Sequence, residues 1–216
     1  MNIYKVNTST HGEQEISIKN LNTDVNVIFV SGGIDSALLL ELYTRHNVHI
    51  LPYYIDRGEP KEYEAAKRIN DKVNERYNLQ RELKIAHVGH DNSYNGNPLV
   101  KACMKIGYEK IDKIISGDNT NPPYQNPTTP PPDRTAPEDM HKYPKWESPL
   151  LHVDKSYIIQ LCLDIECEWI FELSRSCGLY FNECEDLGIL RCGECFYCTE
   201  RSWAFGIVGS NDPGQY

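Results

Sequence analysis

Cys192-Gly193-Glu194-Cys195-Phe196-Tyr197-Cys198 puts three thiols in a compact double knuckle near the C-terminus. Five of the chain's eight cysteines fall between Cys177 and Cys198, and either Cys177 or Cys184 completes a set of four. Four thiolates make the closed tetrahedral shell of a structural zinc site. An iron–sulfur cluster accepts the same ligands. A redox dithiol is the third reading, although it needs neither the third knuckle cysteine nor the upstream partner. Such a concentration of thiols suits a reducing compartment, where metal ligation prevails over disulfides. Cys103, Cys162 and Cys167 stand apart and read as small core residues.

The other chemical feature is Ser31-Gly32-Gly33-Ile34-Asp35-Ser36. Two adjacent glycines let a backbone come close to an anion, and the amides of a following helical turn, with the Ser31 and Ser36 hydroxyls, can point at phosphate oxygens with the helix dipole behind them. The chain contains neither Gly-x-x-x-x-Gly-Lys-Ser/Thr nor Gly-x-Gly-x-x-Gly, which disfavours a Walker-type NTPase and a dinucleotide cofactor.

The elements around this turn place it where ligands bind. Val25 to Val30 is an apolar, β-rich run, and Ile34 to Arg45 has helical spacing, so the glycines join a buried strand to a helix. Val48 to Ile55 and Lys61 to Tyr77 repeat strand and helix across the Asp56-Arg57-Gly58-Glu59-Pro60 turn. Strands at Glu82–Val88 and Lys110–Ile115 flank a helix at Leu99–Lys105. This alternation predicts an α/β fold with a doubly wound parallel sheet, which binds ligands at the carboxyl ends of its strands. An N-terminal hairpin within residues 1–24 precedes it, with a His11-Gly12 turn signal. The Pro-, Thr- and Asn-rich stretch 121–137 reads as a loop, and Lys155 to Cys167 as a largely buried helix. The expected organisation is a nucleotide domain over 1–170 and a small zinc-binding region over 171–216.

A chain of 216 residues with 40% hydrophobic residues fits one full-sized core, and a net charge of -9 gives no electrostatic footprint for nucleic acid. That balance favours a small-molecule substrate and disfavours direct binding of tRNA or DNA. No run approaches the roughly 18 apolar residues of a membrane span. The cytoplasm is the expected compartment.

The glycine turn resembles the Ser-Gly-Gly-x-Asp-Ser signature of ATP pyrophosphatases with the Rossmann-like, adenine nucleotide alpha-hydrolase-like fold. That likeness implies cleavage of ATP between its α and β phosphates, with AMP and pyrophosphate as products. A closer resemblance runs from Ser176-Cys177 through Cys192-Gly193-x-Cys195-x-x-Cys198, Glu200-Arg201 and Phe205-Gly206-Ile207 to Asn211-Asp212-Pro213-Gly214-Gln215-Tyr216. With Asp56-Arg57-Gly58, the helix from Glu62 to Ile69, and Ser148-Pro149-Leu150-Leu151 followed by Lys155, this pattern is similar to that of 7-cyano-7-deazaguanine synthases, virus-encoded members included. It implies an enzyme that converts 7-carboxy-7-deazaguanine and ammonia into the nitrile for 7-deazaguanine modification of tRNA or DNA, using ATP, Mg2+ and Zn2+, as a homodimer.

Carried over by position, Ser31, Gly32, Gly33, Asp35 and Ser36 hold the pyrophosphate, and Asp56 and Gly117 contact the nucleotide. Lys155 neutralises phosphate charge and joins Asp35 and Ser36 as the catalytic set. Asp118 and Asn119 meet the substrate, while Cys177, Cys192, Cys195 and Cys198 hold zinc. Two departures from the pattern stand out. Cys184, not Cys177, lies at the usual distance from Cys192, and a proline-rich segment follows Gly117-Asp118-Asn119-Thr120 where the family has its recognition loop.

Overall fold

A computed structural model of the chain describes residues 1–21, 23–56, 60–88, 98–123, 144–178 and 191–214. Strands β3 (Asn26–Phe29), β4 (Leu51–Asp56), β5 (Lys84–His87), β6 (Lys113–Ile115) and β7 (Trp146–Glu147) form one sheet in the order β5-β4-β3-β6-β7, with every neighbouring pair parallel. β3 is buried at all four positions, as a parallel strand covered on both faces must be. The run alternates accordingly: Ile28, with Val30 just past the strand, belongs to one apolar core, Val27 and Phe29 to the other.

Helices α1 (Ile34–Arg45), α2 (Pro60–Tyr77), α4 (Lys155–Asp164), α5 (Trp169–Leu173) and α6 (Phe196–Val208) contribute to the first core. Helix α3 (Pro98–Ile106) covers the opposite face through Ala102 and Cys103. The sheet is thus doubly wound, and the order of strands reverses between β3 and β6. That switch opens a crevice at the carboxyl ends of these two strands, where the glycine turn after β3 and Ser116-Gly117 after β6 lie.

Helix α1 is buried nearly all round, being covered by the sheet on one side and by α2, α4 and α5 on the others. Its one interior carboxylate, Glu41, is satisfied at Oε1 by Arg45 Nη2 at 3.1 Å and by the Tyr77 hydroxyl at 2.6 Å. Strands β1 (Asn2–Thr8) and β2 (Gly12–Ile18) form the N-terminal hairpin, turning at Gly12 with φ +67°. Val6, Ile16 and Ile18 pin the hairpin to the first core, and the Tyr157 hydroxyl donates to the Tyr4 carbonyl at 2.7 Å.

Several elements differ from the sequence expectation. The helix expected over 155–167 ends at Asp164, where Glu166 turns with φ +59° and lets α5 start anew. A 3-10 turn at Tyr108–Lys110, after Gly107 at φ +96°, delays β6 to Lys113. Strand β7 and helix α6 had no counterpart in the sequence reading. Residues 57–59 of the expected turn, 124–137 of the proline-rich stretch and Cys184 lie outside the described residues.

Candidate functional site

The turn after β3 begins with Gly32 at φ +85°, a conformation that L side chains rarely adopt. A Cβ there would also stand 3.0 Å from the Ala65 Cβ and 3.3 Å from the Ala66 amide nitrogen. Gly33 is the N-cap of α1 and supplies no side-chain cap, so the first amides of the helix keep their donors for something else. Ser36 Oγ donates to the Gly33 carbonyl at 3.2 Å and accepts from the Ser31 amide at 3.1 Å, with the Ser31 hydroxyl 3.1 Å away. These bonds preset the turn as an anion nest at a helix N-terminus.

Two further segments close on this turn. Gly117 sits so near α1 that a Cβ would come 3.1 Å from the Asp35 Cβ and 3.2 Å from the Ser36 nitrogen. A side chain there would push the turn out of place. Lys155, the first residue of α4 and only 4% exposed, hydrogen-bonds both carboxylate oxygens of Asp35 and lies 3.9 Å from Glu200 Oε2. Asp154 holds that helix start by accepting from the Ser156 amide at 2.9 Å and the Tyr157 amide at 3.3 Å, and His11 of the hairpin meets its other oxygen at 2.8 Å.

These parts wall a cleft of about 570 Å³. Ser31, Gly33, Asp35, Ser36, Gly117, Asp118 and Lys155 from the sequence-derived set line it. Asn119 does not. Its side chain is buried and donates to Asp35 Oδ1 at 3.3 Å, which makes it a support for Asp35 instead of a wall residue. Asp56, at the end of β4, also stands outside the lining and pairs with His87 Nδ1 at 2.6 Å. Asp118 is oriented by the Ser116 hydroxyl, which donates to its Oδ2 at 2.8 Å.

At the far end of the cleft the cysteines converge. The sulfur atoms of Cys177, Cys192, Cys195 and Cys198 all lie within 4.8 Å of one another, with Cys177–Cys192 at 3.7 Å and Cys192–Cys198 at 3.9 Å. Thiolates on a tetrahedral zinc, at about 2.3 Å each, stand about 3.8 Å apart. The set therefore fits zinc. Main-chain amides support it: Cys195 N–H donates to Cys192 Sγ at 3.3 Å and Gly178 N–H to Cys195 Sγ at 3.2 Å. Crowding by Cys177 and Cys195, with burial added, pushes the Cys198 thiol far up. A zinc ion would hold the four sulfurs as thiolates and knit the segments together.

A strap of residues 174–178 connects the two ends. The Arg175 amide donates to the Gly32 carbonyl at 2.9 Å, fastening the strap to the glycine turn. The Ser174 carbonyl accepts from Arg201 Nη1 at 3.2 Å, and Cys177 enters the thiol cluster. Arg201, fully buried, makes a bidentate pair with Asp212 at 2.7 Å for each bond, and its Nη2 also donates to the Phe171 carbonyl at 2.7 Å. Arg191 joins Asp212 at 3.0 Å. This clasp ties the chain's end to the strap through one carboxylate.

Arg175, Ser176, Gly178, Tyr197 and Glu200 are cleft residues to which the sequence reading gave no role. Their adjacency to the thiol ligands was a usable signal, because residues flanking a metal knuckle are held as firmly as the knuckle itself.

No protein-family model and no curated protein matches the sequence. Among solved structures, the chain is similar to the NMN synthetase from Francisella tularensis at 14% identity, covering 86% of this chain and 77% of that one with a TM-score of 0.42. The NH3-dependent NAD synthetase from Campylobacter jejuni subsp. jejuni NCTC 11168, in complex with the nitrate ion, gives 16% identity, 88% and 86% coverage and a TM-score of 0.41. PH1313 from Pyrococcus horikoshii Ot3 gives 18% identity over 68% of this chain and a TM-score of 0.40, and the match spans only 43% of that protein. Among the described residues no helix is long and apolar enough to cross a membrane.

Proposed function

We propose that the protein is an ATP-dependent adenylating enzyme that converts 7-carboxy-7-deazaguanine and ammonia into 7-cyano-7-deazaguanine. The observation that carries the first half of this reading is the uncapped N-terminus of α1, preset by Gly32 and Ser36 and faced by the Lys155–Asp35 pair in one cleft. The second half rests on the resemblance of the cysteine region to nitrile-forming synthases, and on a cleft wall that this same region builds.

A carboxylate oxygen is a poor leaving group, so the substrate must first be activated. Its oxygen attacks the α phosphorus of ATP, the α–β bond breaks, and pyrophosphate departs. The amides after Gly33 and the Ser31 and Ser36 hydroxyls are placed to bind the departing pyrophosphate, which lowers the barrier by stabilising charge where it develops. Lys155 supplies positive charge, and Asp35 fixes where its ammonium sits. Ammonia then attacks the acyl carbon and AMP leaves with the carboxyl oxygen, giving the amide. A second ATP activates the amide oxygen in the same way; loss of AMP and the amide N–H protons gives the nitrile.

No covalent nucleophile is needed, and what the protein supplies is alignment and charge. Asp35, Glu62, Asp118 and Glu200 give the cleft a hard-oxygen donor set against the two cations Lys155 and Arg175. Mg2+ carried by the nucleotide would supply the positive charge that this balance and the phosphates require. Zinc, held by Cys177, Cys192, Cys195 and Cys198, would serve structure alone, since four thiolates leave no open position.

The test is mass spectrometry of the products after incubation with ATP, Mg2+, 7-carboxy-7-deazaguanine and ammonium. A nitrile accompanied by AMP supports the reading. Unchanged carboxylate alongside AMP would remove the substrate assignment and leave adenylation standing.

A further inference from the structure

The cleft has two unlike ends. At the turn, phosphate-binding groups come from backbone amides, and the ammonium of Lys155 is already held by Asp35. The strap meets the turn at Arg175, and farther along it Gly178, with Tyr197 of the first turn of α6, lines the cleft beside the thiol cluster. Phe196 and Cys198 on either side of Tyr197 are buried, whereas Tyr197 is 42% exposed and lines the cleft. Its ring stands at 87° to that of Phe196 with centroids 5.7 Å apart. Gly178 passes beside it, close enough that a Cβ there would stand 3.4 Å from Tyr197 Cδ2. A partly exposed aromatic ring that lines a polar cleft suits a planar ring stacked upon it.

The main chain of Arg175 is placed firmly beside the glycine turn. Its main chain is bonded to the Gly32 carbonyl, and the residues before and after it are secured by Arg201 and the thiol cluster. A guanidinium carries five N–H donors in a rigid fork matched to carboxylate geometry.

We propose that Arg175 and Tyr197 form the acceptor subsite of the cleft, Arg175 binding the carboxylate of the molecule that receives AMP and Tyr197 stacking on its planar heteroaromatic ring. The subsite deepens the adenylation reading and rests on it: the strap that carries Arg175 is fastened to the turn that grips the phosphates, which brings carboxylate and α phosphate to a common centre. The ligand class is a planar heteroaromatic carboxylic acid.

The full-length protein and its Arg175→Gln, Arg175→Lys and Tyr197→Leu variants are titrated with 7-carboxy-7-deazaguanine, with 7-deazaguanine lacking the carboxylate, with indole-3-carboxylate and with ATP. Thermal melts verify folding, since neither side chain makes the main-chain bonds that fix the strap. Arg175→Gln is expected to raise Kd for both carboxylates roughly tenfold or more, with 7-deazaguanine and ATP within about twofold of the parent. Arg175→Lys should restore part of the loss, and Tyr197→Leu should weaken carboxylated and uncarboxylated ring alike. A shift in ATP affinity without a shift for the carboxylates would overturn the subsite, as would a parent that binds neither carboxylate. Arg175-dependent carboxylate binding in a protein that makes no nitrile would keep the subsite and discard the substrate assignment.

Discussion

The glycine turn and the cysteine region reach the same cleft by opposite means. Ser31 to Ser36 are consecutive, and their geometry follows from a strand, two glycines and a helix start, with contacts mostly local. The cysteine end is assembled from 174–178, 191–201 and 212–214, which are tied together by buried charge and sulfur. Local backbone conformation makes a binding nest cheaply; a wall built from separate segments needs strong, specific ties. It follows that the turn should fail by losing ligand affinity, while the cysteine end should fail by losing structure.

Loss of a thiol should produce the largest effect. Cys192→Ser is expected to reduce bound zinc from about one per chain to near zero and to lower Tm sharply, because the metal's binding energy is part of the folding energy there. Metal analysis with differential scanning calorimetry reads both, and full zinc retention would refute the four-thiol site.

Next comes the clasp. Asp212→Ala strands two buried guanidiniums and should cost about 3–5 kcal/mol in urea unfolding. Burial by itself raises the Asp212 carboxyl, but the hydrogen bond and charge of Arg201, with Arg191 behind them, outweigh it and hold the carboxyl below its usual range. A depressed folded value means that this stabilisation is complete above the unfolded carboxylate value of about 3.9 and is lost as pH falls through the folded one. The stability gap between the parent and Asp212→Asn should therefore stay constant from neutral pH down to about 4 and narrow below it. A gap that narrows well above that value would contradict the clasp.

A smaller effect on folding with a larger one on ligand is expected at the turn. Gly117→Ala forces a Cβ against Asp35 and Ser36 and should cost about 1–3 kcal/mol, with ATP affinity falling at least in parallel. Isothermal titration would detect the reverse, unchanged ATP affinity, and so detach Gly117 from the site. Smallest is Asp154→Ala, which removes the cap of α4. About 1 kcal/mol from the cap should appear in thermal melts, with a modest rise in the KM for ATP as Lys155 loses its anchor.

The same contrast governs what was legible in the sequence. Strand β3, helix α1 with both its ends, and helix α2 follow from apolar periodicity and glycine punctuation, because parallel strands and their crossover helices are local patterns. The thiol spacing gave the knuckle, and the structure places Cys177 among the four. Arg201 and Asp212 were visible only as letters in a resemblance. Their pairing depends on the chain's end folding back over α5, which no periodicity encodes. Helix α6 escaped because its first turn is occupied by knuckle residues, and β7 because two residues carry no pattern. Asn119 was expected against substrate, but a buried amide beside Asp35 is a tertiary fact that loop polarity does not reveal.

In the proposed reaction the turn at Gly32 and Gly33 holds the outer phosphates while AMP passes to an organic oxygen. Chromatography of nucleotides after incubation with ATP, Mg2+, 7-carboxy-7-deazaguanine and ammonium tests this directly by showing which phosphate bond breaks. AMP and pyrophosphate in equal amounts are predicted, and both should fall together when Asp35 and Ser36 are replaced by alanine. Release of ADP and orthophosphate, or AMP formation that survives the double replacement, would contradict it.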